Sequence, residues 1–157
     1  MKTIEGDMLA EGKRFVLVAA RFNDAFAEKL LDGAIDALVR HGADREDLAV
    51  VRCPGSFELP QVAARLAESG DYDAIVCLGV LIRGATPHFD HIASQTASGI
   101  GRVGVDSGVP TTFGVLTCDT VDQAIERSGS KAGNKGAEAA LAAIEMANLY
   151  DNLEGSR

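Results

Sequence analysis

Gly84, Ala85 and Thr86 stand directly before Pro87 and His88. Small side chains leave backbone N–H groups open, and with the positive end of a helix behind them such amides can hold a phosphate. The same run also reads as an ordinary glycine turn with an N-cap. His88, one step into that helix, can pass protons beside a bound ester near neutral pH, or it can be a structural histidine. His88 and His91 share helical spacing, but no third residue lies at metal-ligand spacing, so no metal site is expected. Arg127 carries a guanidinium able to fork onto phosphate oxygens in the same crevice; its plainer reading is a solvated helix-end arginine. Phe22, in a chain with 5% aromatic residues, can stack on a planar heterocycle or anchor a loop. Glu58, after Pro54-Gly55-Ser56-Phe57, can accept hydrogen bonds from a hydroxylated chain or answer a helix dipole.

The elements that must carry these residues follow from the periodicity of the apolar positions. Strand-length apolar runs at 15–20, 48–53, 74–78 and 112–117 alternate with helix-period segments. The first helix has apolar or small positions at Phe26, Leu30, Leu31, Ala34, Ile35 and Leu38 and ends at Gly42. The second repeats the pattern at Leu59, Val62, Ala63 and Leu66 before Gly70. A third is expected to start near Pro87 with Thr86 as its cap, its far end obscured by Gly99, Gly101 and Gly104. Thr120 and Gln123 form a capping box for a short helix, Gly129 to Gly136 break it, and an alanine-rich helix closes the chain over 137–149. Four strands separated by helices imply an α/β, flavodoxin-like three-layer sandwich: a four-stranded parallel sheet in the order 2-1-3-4, with helices on both faces. A single domain spans 1–157, with residues 1–12 as a peripheral segment. Ligands in such sheets sit beyond the carboxyl ends of the strands, which selects the loops already singled out.

Composition narrows the function. The chain has 157 residues, 46% hydrophobic and 24% charged, with a formal charge of −8. That balance fits a globular domain and neither disorder nor a membrane span. The negative field repels phosphate backbones, so nucleic acid is not an expected partner. The Met1 end has no apolar core of the secretory kind, which makes a cytoplasmic location the expectation. Cys53, Cys77 and Cys118 are odd in number and lie in or beside apolar runs, the pattern of reduced packing residues. Residues 129–136 imitate a phosphate-binding P-loop, but Asn134 stands where glycine is needed and Gly136 replaces Ser/Thr.

Taken together, Ala20-Arg21-Phe22-Asn23, Pro54-Gly55-Ser56-Phe57-Glu58-Leu59-Pro60, Gly84-Ala85-Thr86-Pro87-His88-Phe89-Asp90 and Phe113-Gly114-Val115-Leu116-Thr117 resemble the lumazine synthase family. Gln123-Ala124-Ile125-Glu126-Arg127 and Lys131-Ala132-Gly133-Asn134-Lys135-Gly136 extend the resemblance, in order, over roughly residues 14 to 150. The resemblance implies a transferase of riboflavin biosynthesis. Such an enzyme condenses 5-amino-6-ribitylaminouracil with 3,4-dihydroxy-2-butanone 4-phosphate to 6,7-dimethyl-8-ribityllumazine, releasing phosphate and water, with no cofactor and no metal. It also implies the roles of individual residues. Phe22 stacks on the pyrimidine, Asn23 helps hold the ribityl side through its backbone, and Ser56, Phe57 and Glu58 line that chain's site. Val80, Leu81 and Ile82 belong to the same substrate-binding set. Gly84, Ala85 and Thr86 hold the phosphate together with Arg127, and His88 is the proton shuttle. Phe113 and Lys135 are expected to reach the ligand from a neighbouring subunit, since family sites lie between protomers of a homopentamer. Decamers or sixty-subunit icosahedral shells are further possibilities, and residues 3–6 are expected to add a strand to a neighbour's sheet. Two positions depart from the family pattern: His91, where an aromatic is common, and Ser56, where alanine is common. Two other readings of the same residues are a noncatalytic flavin- or nucleotide-binding module and a noncatalytic shell protein.

Overall fold

The computed structural model describes residues 1–155. Its core is a four-stranded sheet in the order β2-β1-β3-β4, with every neighbouring pair parallel. The strands are β1 (Phe15–Ala20), β2 (Leu48–Cys53), β3 (Ala74–Ile82) and β4 (Thr111–Cys118). The connecting helices are α1 (Asp24–Arg40), α2 (Leu59–Ser69), α3 (His88–Ser107) and α4 (Val121–Arg127), and α5 (Lys135–Glu154) closes the chain.

Successive side chains of a strand point to opposite faces, and here both faces are covered. Phe15, Leu17 and Ala19 of β1 pack with Val76, Leu78 and Val80 of β3 against α1 and α5. Their alternates Val16, Val18, Ala20, Ile75 and Cys77 pack against Leu59 and Ala63 of α2 and Ile100 of α3. Burial on both sides is why the strands read as unbroken apolar runs rather than as alternating ones.

Several expectations are corrected. β3 runs four residues past Leu78, pairing through Ile82 with Cys118. Gly79 lies inside the strand, and a Cβ there would lie 2.5 Å from the Ser56 hydroxyl oxygen, so glycine admits the neighbouring loop against the strand. α3 starts at His88 with no side-chain cap, so Thr86 does not cap it. It continues unbroken past Gly99, where a Cβ would meet the Pro60 ring at 2.7 Å, and stops at Gly108 in the left-handed region. Residues 129–136 form a hairpin, β5 (Ser128–Ser130) against β6 (Gly133–Asn134). Asn134 then caps α5 by accepting from the Ala137 amide at 3.0 Å, which starts that helix two residues before Ala137. Residues 1–12 are only partly peripheral. Ala10 is fully buried in the core, and the Asn148 amide donates to the Asp7 and Leu9 carbonyls at 3.0 and 2.9 Å.

Candidate functional site

At the carboxyl ends of β1, β2 and β3 the loops enclose a hollow of about 570 Å³. Each of its walls is set by a local feature of the chain. β1 ends at Ala20, and Phe22 follows, 71% exposed, on the wall of the hollow. Asn23 takes the left-handed backbone conformation (φ 59°) at the start of α1, a region that Asn tolerates better than most residues. Its side-chain amide donates to the Val80 carbonyl at 2.8 Å, tying the end of β1 to β3.

The second wall is the short 3-10 turn after β2, Ser56–Glu58. Ser56 is buried, and its carbonyl accepts from the Thr96 hydroxyl of α3 at 3.2 Å. Phe57 stands exposed and Glu58 half-buried on the rim. Val80, Leu81 and Ile82 form the floor because β3 extends beyond Gly79.

Gly84, Thr86 and His88 complete the hollow, while Ala85 is exposed between the first two without forming its wall. None of the amides of Gly84, Ala85 and Thr86 donates to an acceptor among the described residues, and the His88 ring makes no hydrogen bond there. Three open amides beside a helix start can receive an anion. Phe89 and Ile92 also line the space. Ile92 follows His88 by one helical turn, a spacing that marks it in hindsight.

Arg127, Phe113 and Lys135 do not join this hollow. They gather in a second one, of about 480 Å³, beside β4 at the edge of the sheet, together with Thr117, Ala132 and Glu138. The expectation that Arg127 reaches the crevice of His88 therefore fails within one chain. Arg127 is the last residue of α4, and its guanidinium folds back to the Gln123 carbonyl at 3.3 Å and lies 3.9 Å from Glu126. Lys135 pairs with Glu138 at 3.0 Å.

Directly before the open amides in the chain stands Arg83, which sequence reading did not single out. Its guanidinium meets Asp119 at 2.8 Å and Asp90 at 2.9 Å, and its Cζ lies 4.5 Å from the centre of the Phe89 ring. Both carboxylates, Asp119 first, hold it firmly protonated. Its signal was weak because these partners lie 36 and 7 positions away.

The three thiols are buried and unpaired. Burial pushes Cys77 up to about 12 and raises Cys118 as well. Cys53, below the Pro54–Glu58 loop, is raised by burial and by the negative charge of Glu58, and its thiol donates to the Gly55 carbonyl at 3.4 Å. Protonated thiols are poor nucleophiles and metal ligands. Among the described residues no three His, Cys, Asp or Glu side chains group to hold a metal ion, and no helix is long and apolar enough to cross a membrane.

Known proteins are similar to this chain over nearly all of its length. A family model described as 6,7-dimethyl-8-ribityllumazine synthase matches residues 12–151. The chain is 57% identical over 153 residues to the 6,7-dimethyl-8-ribityllumazine synthase of Chlorobaculum tepidum, covering 98% of this chain and 99% of that one. It is 56% identical over 153 residues to the enzyme of that name from Prosthecochloris aestuarii, with the same coverage. For Desulfotalea psychrophila the identity is 56% over 151 residues, covering 96% and 97% of the two chains. A match of this extent, on a sheet whose loops bring an aromatic platform, open amides and an imidazole to one hollow, has one reading: the chain belongs to the 6,7-dimethyl-8-ribityllumazine synthase family.

Proposed function

We infer that the chain is a 6,7-dimethyl-8-ribityllumazine synthase, and we propose that its active site is assembled from two copies. The reaction joins 5-amino-6-ribitylaminouracil to 3,4-dihydroxy-2-butanone 4-phosphate and releases phosphate and water. The observation that carries the two-copy reading is the division of groups between the hollows. One has the aromatic platform, the hydroxyl-accepting rim, the open amides and the imidazole, but no free cation in its wall. The other has Arg127, Lys135 and a second aromatic, Phe113, around a smaller space. Each supplies what the other lacks.

In this arrangement the pyrimidine stacks on Phe22, and its ribityl chain runs along Asn23, Ser56, Phe57 and Glu58. Val80, Leu81 and Ile82 lie beneath the heterocycle. The phosphate of the second substrate takes hydrogen bonds from the Gly84, Ala85 and Thr86 amides, while Arg127 of a second copy supplies the counter-charge. Phe113 and Lys135 of that copy close the site. His88, beside the phosphate, moves protons as the amine attacks the ketone, water leaves and phosphate is eliminated. Holding two reactants in register turns a bimolecular condensation into a step within one complex, which can supply the larger share of the acceleration.

A pentamer, with decamers or sixty-subunit shells built from it, is the assembly proposed. The outer edge of β2 has no strand partner among the described residues, and residues 3–6 of a neighbour can add to it. Mixing the protein with both substrates and following lumazine absorbance and fluorescence tests the activity. A rate no faster than the spontaneous condensation would refute it. Light scattering tests the assembly, and a monodisperse single chain would refute that.

A further inference from the structure

We propose that Arg83 is a positioning residue: a guanidinium brace that fixes the turn 84–86 and the first residues of α3, without itself meeting the phosphate. This rests on the reading of that turn as the phosphate site.

Three observations carry it. The turn lacks internal support, because α3 has no side-chain cap and the amides of 84–86 bond to nothing among the described residues. A loop with so few bonds moves unless something outside it holds it. Arg83 is where that support arrives. Its own amide donates to the Cys118 carbonyl at 2.8 Å, carrying the β3–β4 ladder one residue past the end of the strand. Its side chain then spans two elements. Nε reaches Asp119, after β4, and a terminal nitrogen takes both oxygens of Asp90, in the first turn of α3, at 2.9 and 3.1 Å. The face of the guanidinium lies on the Phe89 ring, in the same turn of α3. Sheet, helix and ring are joined through one planar group.

The charge count separates a brace from a ligand. Two carboxylates surround one guanidinium, so the cluster is net negative by one and offers no attraction to a phosphate. Nor does Arg83 line the hollow, although Ile82 and Gly84 on either side of it do. Planarity matters because an ammonium is a point charge that cannot bridge two carboxylates and stack on a ring in one plane.

The experiment is steady-state kinetics of the assembled enzyme with both substrates, and with inorganic phosphate as inhibitor, for Arg83→Gln, Arg83→Lys, Asp119→Asn and Ala85→Pro. The brace requires Arg83→Gln and Arg83→Lys alike to raise the KM for the butanone phosphate about tenfold, within the hundredfold that an ångström of misplacement can produce. The KM for the pyrimidine stays within twofold. Asp119→Asn shifts the same KM in the same direction, and phosphate inhibition weakens in parallel. A general loss of folding would lower the apparent kcat and the melting temperature and leave both KM values where they were, an outcome that would overturn the brace. Near-normal behaviour of Arg83→Lys, or tighter phosphate binding by Asp119→Asn, would overturn the brace by showing that the charge serves the ligand directly. Ala85→Pro removes a donor from the turn. If it leaves the KM for the butanone phosphate unaltered, the phosphate assignment fails and the brace with it. If it raises that KM while Arg83→Gln does not, the brace alone fails.

Discussion

The side-chain amide of Asn23 donates to the backbone carbonyl of Val80 at 2.8 Å, so the residue that follows the aromatic platform is bonded to the floor of the hollow. The same residue holds the left-handed backbone conformation that starts α1. Asn23→Ala loses both the bond and the tolerance of that conformation, together about 1.5–3.5 kcal/mol. Asn23→Gly keeps the backbone and loses only the bond, so it should unfold in urea between Asn23→Ala and the unmodified protein, compared at equal protein concentration. Equal midpoints for the two variants would show that the backbone conformation contributes nothing.

His88 faces the hollow with its ring unbonded. His88→Ala should lower kcat by about 10²–10⁴-fold, the usual range of a general acid–base group, with both KM values little changed. A residual rate above the spontaneous condensation is expected, because the substrates are still held in register. Abolition of pyrimidine binding instead would mean that the ring has a binding role.

Arg127→Ala should weaken the phosphorylated substrate by about 1.5–3 kcal/mol, the contribution of a hydrogen bond to a charged group, and spare the pyrimidine. Its position in a separate hollow supplies a stricter test. His88→Ala and Arg127→Ala chains, refolded together, should regain part of the lost activity, because some sites then combine an intact His88 from one chain with an intact Arg127 from another. No recovery in the mixture would return both residues to a single chain.

At Gly79 an added Cβ would lie 2.5 Å from the Ser56 hydroxyl oxygen and 3.2 Å from Leu59. Gly79→Ala must push the Ser56–Glu58 turn outward. The KM for the pyrimidine substrate should therefore rise several-fold while that for the butanone phosphate holds. A shift in the phosphate KM alone would contradict the assignment of the two ends of the hollow.

Cys77 has its thiol pushed up to about 12 by burial, from an ordinary value of 9.0. Between those values the unfolded chain releases a proton that the folded chain keeps, so stability falls as pH rises from 9 toward 12. Cys77→Ala should flatten that part of the denaturation-versus-pH curve. In the native protein at pH 8 the thiol should resist alkylation until denaturant is added; rapid native labelling would contradict its burial.

The central strands β1 and β3 were legible because burial on both faces leaves a continuous apolar signature, and the half-buried edge strands β2 and β4 because their runs have strand length between turn signals. Other features were legible only with the third dimension. Gly79 lies just past the strand expected over 74–78, and its purpose, admitting Ser56, comes from a residue 23 positions earlier. The hairpin at 128–134 is short and polar, so it leaves no apolar period. The docking of residues 5–9 depends on amides of Asn148 and Asn152, about 140 residues away. Most candidate site residues were reachable because they end strands or open helices at one edge of the sheet. The separation of Arg127 from His88 was not, because spacing along the chain does not give the direction in which α4 leaves β4.

On the proposed reading, the two half-furnished hollows give the rate law a particular form. An enzyme complete within one polypeptide keeps its specific activity on dilution; this one should lose it as its neighbours dissociate, with output falling faster than the first power of chain concentration. Catalysis then becomes a gauge of association, and a surface substitution far from any substrate can silence the reaction merely by loosening the ring.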